Sequence, residues 1–214
     1  AGIARTAKFR LLNLGLELSV LRGPLSTTAS EALSELKTRA PHATVALNTT
    51  YQLAGVTCSK SDCYAMPMIG WTANERCGRG VHVGMLDSRV DTRNSVLASS
   101  NIVVRDFIGE RPAASSQHGT AIAALLVGER ANDFLGMVPG ASLSGANVFF
   151  LTDDGRESTN VWILLRAIDW LVGQRANVLN FSLAGPPNLL LEHAVRKVAA
   201  KGTVLVAAAG NAGP

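Results

Sequence analysis

Val81-His82-Val83-Gly84-Met85-Leu86-Asp87-Ser88 is an apolar run that ends on a carboxylate, the pattern of a buried strand carrying a polar group at its carboxyl end. Working outward, apolar segments at 101–105, 142–149, 177–182 and 203–209 alternate with helical patterns at about 118–128, 159–173 and 187–201. That alternation predicts an α/β fold built on a parallel sheet. Right-handed crossovers then place helices on both faces, and functional groups gather beyond the carboxyl ends of the strands. Three polar residues meet this condition. Asp87 closes its strand, His118 opens the small-residue helix Gln117-His118-Gly119-Thr120-Ala121-Ile122-Ala123-Ala124, and Asn211 follows the strand Thr203-Val204-Leu205-Val206-Ala207.

Singly, each of the three has a plain structural role: a turn after a strand, a helix cap, a left-handed turn residue. Together they suit nucleophilic catalysis. A hydroxyl is a poor nucleophile at neutral pH and needs a base, and an imidazole with a pKa of about 6.5 is matched to that work. His118 would be the base. Asp87 would accept a hydrogen bond from the other ring nitrogen and fix the tautomer, and the Asn211 amide would donate to a developing oxyanion.

Gly80-Val81-x-Val83-Gly84-x-Leu86-Asp87-Ser88, His118-Gly119-Thr120 and Ala208-Ala209-Gly210-Asn211-x-Gly213 resemble, in family order, three segments of the subtilisin-like serine proteases, the subtilases. Two further matches are Val138-Pro139-Gly140-Ala141 and Asn180-Phe181-Ser182-Leu183-Ala184-Gly185. The second resembles the family's wall of the primary specificity pocket, which implies that Ser182, Leu183, Ala184 and Gly185 bind an extended polypeptide substrate. The resemblance covers residues 78–214. It implies a subtilisin-like parallel sheet flanked by helices, and a serine-type endopeptidase that hydrolyses peptide bonds through an Asp-His-Ser triad.

Two departures stand out. Arg89 occupies a position where the family usually has glycine, and no Gly-Thr-Ser-x-Ala helix is present. The nucleophile is therefore expected outside this chain, in a missing C-terminal fragment, and the polypeptide alone is expected to be inactive. A catalytically dead, peptide-binding relative is the alternative. A dinucleotide-binding fold fails, because Gly78-x-Gly80 precedes its strand where the fingerprint must follow one. Calcium is implied only by the family resemblance, and no loop is acidic enough to assign to it.

Ahead of the protease-like part, Leu16-Glu17-Leu18-Ser19-Val20-Leu21 alternates as a half-buried strand. Thr28-x-x-Glu31 has capping-box spacing and opens a helix presenting Ala32, Leu33 and Leu36 before Pro41. Ala43-Thr44-Val45-Ala46-Leu47 reads as a second strand. Such a unit is too small to stand alone. Its order and place resemble a subtilase propeptide, implying a small α+β, ferredoxin-like region that acts as an intramolecular inhibitor. The expected organisation is 1–55 propeptide-like, 56–77 a Cys-containing connector, and 78–214 part of a catalytic domain.

Composition narrows the remaining classes. The 214 residues are 47 % hydrophobic and 17 % charged, which describes a filled core rather than a disordered chain. The net charge of +4 comes from 20 basic and 16 acidic side chains. No block of like charge suggests a nucleic-acid partner, and no apolar run reaches the roughly 18 residues of a membrane span. Leu11 to Leu21 is interrupted by Asn13, Gly15 and Glu17 and is no signal peptide. Cys58, Cys63 and Cys77 brace one short stretch, with pairing unreadable from an odd count; a Cys₃His zinc set with His82 has non-standard spacing. The location expected is secreted or periplasmic.

Overall fold

A computed structural model describes residues 2–54, 69–72, 74–130 and 134–210. The chain begins with β1 (Ala4–Leu11), β2 (Leu16–Arg22), α1 (Ala29–Arg39) and β3 (Thr50–Leu53). It continues with β4 (His82–Asp87), β5 (Ile102–Asp106), α2 (Gln117–Val127), β6 (Ser142–Asn147), β7 (Phe150–Leu151) and β8 (Glu157–Asn160). α3 (Val161–Gly173), β9 (Val178–Phe181), β10 (Leu183–Ala184), α4 (Leu189–Ala200) and β11 (Val204–Ala207) complete it.

Five strands form the predicted parallel sheet, in the order β11-β9-β4-β6-β5, with every neighbour pair parallel. β4 lies at its centre because its residues are apolar on both faces: Val83 and Met85 face one layer, Leu86 the other. On the first face α2 contributes Ala123 and Val127, which pack with Val83, Met85, Val90 and Leu143. On the second, Ile163, Leu164, Ile168 and Leu171 of α3 and Ala194 and Val198 of α4 cover Leu86, Leu179 and Phe181. Each large aliphatic side chain buried this way contributes roughly 1.5–3 kcal/mol. Gly84 lets α3 approach: a Cβ there would overlap Leu179 and stand 3.2 Å from Leu171 Cδ2.

β1 and β2 make an antiparallel hairpin whose turn uses Gly15 at φ 62°. It rests on α3. Phe9 packs on Trp162 with ring centroids 3.9 Å apart, and Asp169 accepts the backbone N–H groups of Asn13 and Leu14 at 2.8 and 2.9 Å. The capping box of α1 forms as its spacing predicts, with Thr28 and Glu31 bonded reciprocally. No residue of α1 is buried, and a cavity of about 480 Å³ lies between this helix, the hairpin and Trp162.

Two expectations for this region need correction. Ala43 to Leu47 forms no strand; the strand is β3, a few residues later. Alternation alone does not decide the matter, because a strand exists only where an edge accepts it, and Thr50–Leu53 has two. It pairs antiparallel with β8 (Thr50↔Asn160, Tyr51↔Thr159) and with β10 (Leu53↔Leu183, Gln52↔Ala184), in the sheet β10-β3-β8-β7. The N-terminal part is α+β as expected. Its described residues, however, form a two-stranded sheet with one helix and send β3 elsewhere, which is not the ferredoxin-like order.

Candidate active site

β4 delivers Asp87 to the carboxyl edge of the sheet, fully buried. Its Oδ1 accepts the backbone N–H of Ser88 at 2.7 Å and lies 2.8 Å from Nδ1 of His118. Since a carboxylate only accepts, Nδ1 carries the hydrogen and Nε2 holds the lone pair. Nε2 has no partner among the described residues. The hydrogen bond to Asp87 raises the His118 pKa above the usual 6.5, against the opposing effect of burial.

Three consecutive residues at the start of α2 are bound to the last residue of β4 and the segment after it. His118 meets Asp87, Gly119 N–H donates to Ser88 Oγ at 3.0 Å, and Thr120 Oγ1 accepts from Asp91 N–H at 2.9 Å. Gly119 is required for this approach, because a Cβ would overlap the Ser88 carbonyl oxygen and sit 2.9 Å from that of Arg89. Ser116, not His118, occupies the N-cap, so a capping role does not account for the histidine. Arg89 does not need a left-handed backbone; Arg175 is the non-glycine residue with positive φ among those described. The Arg89 side chain is 62 % exposed and reaches Asp106 Oδ2 at 3.9 Å.

Ser182 to Gly185 run alongside β3. Ser182 is buried, its Oγ accepts from Asn180 Nδ2 at 2.9 Å, and its carbonyl oxygen accepts the Ala54 N–H at 3.0 Å. Leu183 and Ala184 supply the antiparallel partners of Leu53 and Gln52. Gly185 carries the Tyr51 ring, which a Cβ would overlap, and the Tyr51 hydroxyl donates to the Pro186 carbonyl oxygen at 2.7 Å. All four residues predicted to bind substrate thus contact β3 or its Tyr51 ring. On its other edge β3 pairs with Thr159 and Asn160 of β8, which give no strand signal in the sequence, where the helical pattern already runs from 159. Asn160 serves twice, pairing with Thr50 and capping α3 through Oδ1, which accepts the Ile163 N–H at 3.1 Å.

Asn211, Cys58 and Cys63 lie outside the described residues. Cys77 forms no disulfide among those described, and its carbonyl oxygen accepts the Gly140 N–H at 2.8 Å. His82 faces Ser144 Oγ at 2.8 Å. The described residues offer no group of three or more His, Cys, Asp or Glu able to hold a metal ion, and two members of the Cys₃His set, Cys58 and Cys63, lie outside them. No helix among them is long and apolar enough to cross a membrane.

Comparison with known proteins bears on the family and the fold. Residues 78–214 match the model of the subtilase family, peptidase S8. Subtilisin E of Bacillus subtilis is 31 % identical over 141 residues, covering 64 % of this chain and 35 % of the relative. The structure of the patellamide maturation protease PatA aligns with a TM-score of 0.53 and 26 % identity, over 63 % of this chain and 50 % of that one. Fervidolysin from Fervidobacterium pennivorans shares the fold, with a TM-score of 0.55 and 23 % identity over 64 % of this chain and 22 % of that one. The chain spans about a third of the length of subtilisin E and subtilisin NAT.

Proposed function

The chain belongs to the subtilase family, and on that premise we propose that it supplies the Asp-His half and the peptide groove of a serine-type endopeptidase. One observation carries the reading: a buried carboxylate holds His118 Nδ1 at 2.8 Å and leaves Nε2 available as a base. In the proposed reaction Nε2 takes the hydroxyl proton of a serine from outside this chain as the oxygen attacks the peptide carbonyl. The imidazolium, stabilised by Asp87, then gives that proton to the departing amine, and water completes hydrolysis by the same two steps. Asn211 would donate to the oxyanion of each tetrahedral intermediate. The substrate would extend antiparallel along Ser182 to Gly185, and the chemistry calls for no metal ion.

The antiparallel seat of β3 supports the further reading that residues 1–55 are a propeptide-like region, joined by 56–77 to the catalytic part at 78–214, and that they inhibit by holding the groove. A secreted or periplasmic setting goes with that reading. An inactive peptide-binding relative would keep the same groove, so labelling separates the two. The full product of the gene, treated with a fluorophosphonate, is expected to be labelled on one serine, with the label abolished in H118A. A folded full product that takes no label and cleaves no peptide would overturn the endopeptidase reading.

A further inference from the structure

Two arginines share one aromatic floor away from the Asp87–His118 pair. The guanidinium carbon of Arg105 lies 5.4 Å from the Phe107 ring centroid and 5.9 Å from that of Trp170. That of Arg166 lies 5.8 Å from the same Phe107 ring, 5.0 Å from Trp162 and 5.7 Å from Phe9. Trp162, Arg166 and Trp170 follow one another at four-residue spacing along α3, hence on one face, and Arg105 reaches that face from β5.

Among the described residues, neither guanidinium forms an ion pair. Nearby carboxylates are engaged elsewhere: Asp106 holds the Asn147 amide at 2.9 Å and faces Arg89, while Asp169 holds the hairpin turn. The two charges feel each other, for desolvation first and the Arg105 charge second lower the pKa of Arg166. Two like charges beside one aromatic surface, Arg105 exposed and Arg166 partly buried, add their fields at any anion placed against both. Guanidinium forks match the oxygens of phosphate or sulfate in a way that an ammonium does not.

We propose that Arg105 and Arg166, floored by Phe107, Trp162 and Trp170, form a binding site for a tetrahedral oxyanion of the phosphate or sulfate class. Because Phe9 belongs to the hairpin and borders the same site, occupancy would also stabilise the docked hairpin by mass action.

The test uses the 214-residue chain with labelled arginine side chains, titrated with inorganic phosphate at neutral pH and constant ionic strength. The Nε–H resonances of Arg105 and Arg166 should shift saturably with a common midpoint, while those of Arg175 and Arg196 stay. R105Q, at an exposed position, should raise the midpoint about tenfold or more, the effect of removing one charge-assisted hydrogen bond. R166K, which keeps the stem among the aromatic rings but removes the fork, should raise it too. A phosphoserine dipeptide that binds more tightly than inorganic phosphate would assign the site to a ligand-borne group, and equal or weaker binding to the free ion; either upholds the site. Non-saturating shifts, shifts spread evenly over exposed arginines, or an unchanged midpoint in R105Q would overturn it.

Discussion

The Tyr51 hydroxyl donates to the Pro186 carbonyl oxygen at 2.7 Å, joining residues 135 positions apart. The Tyr51 ring is buried, and it rests where Gly185 lacks a side chain. G185A would place a methyl inside the ring, a change that overpacks by ~1–3 kcal/mol. It should expel β3 while the parallel sheet persists. Hydrogen exchange checks this, with faster exchange at Ala54, whose N–H donates to Ser182, and unchanged protection in β4 and β6. Y51F should act more mildly, costing about 1 kcal/mol for the unpaired carbonyl.

Asp169 is the second tie between the N-terminal hairpin and α3. Its Oδ1 accepts two backbone N–H groups, from Asn13 and Leu14, and D169A would strand both donors. A destabilisation of about 1–2 kcal/mol is expected for such partly exposed charge-assisted bonds. Limited proteolysis should then cut within β1 and β2 sooner, with residues 81–207 resisting as before.

Gly119 sets the distance between α2 and β4. The Cβ of G119A would overlap the Ser88 carbonyl oxygen and push the helix start away, at a cost of ~2–3 kcal/mol. With the helix start displaced, the hydrogen bond from His118 to Asp87 breaks. Thermal unfolding should register the destabilisation, and the His118 resonance should titrate closer to its ordinary value.

His118 also links stability to pH. Its folded pKa is raised, chiefly by the hydrogen bond to Asp87, so the folded state binds the proton more tightly than the unfolded chain. The resulting stabilisation is fully present below about 6.5 and is lost as pH rises through the folded value. Urea unfolding of the wild type and H118Q across that window should differ most at the acidic end and converge at the alkaline end.

The sheet was legible chiefly from β4, β9 and β11, short and largely apolar strands (HVGMLD, VLNF and VLVA), and β4 announces Asp87 at its end. The α2 motif was legible for the same reason: His118, Gly119 and Thr120 each meet a residue between Asp87 and Asp91. The pairing of β3 with β8 was not. β8 reads Glu-Ser-Thr-Asn, a polar string, and β3 is the short alternation Thr-Tyr-Gln-Leu; each is a strand through its pairing with the other and with β7 or β10. Ala43 to Leu47 is more apolar, but among the described residues it joins no edge. The Asp169 clamp left no local trace either, since its partners lie 155 and 156 residues away.

The central claim is that Asp87 holds His118 as a base ready to receive a proton at Nε2. An imidazole titration of His118 by nuclear magnetic resonance, in the wild type and in D87N, tests it most directly. The account predicts a wild-type pKa above 6.5, Nδ1 as the protonated nitrogen of the neutral ring, and a fall in D87N, which removes the charge and leaves the shape. A His118 that titrates at or below 6.5 in the wild type, with no response to D87N, would contradict it.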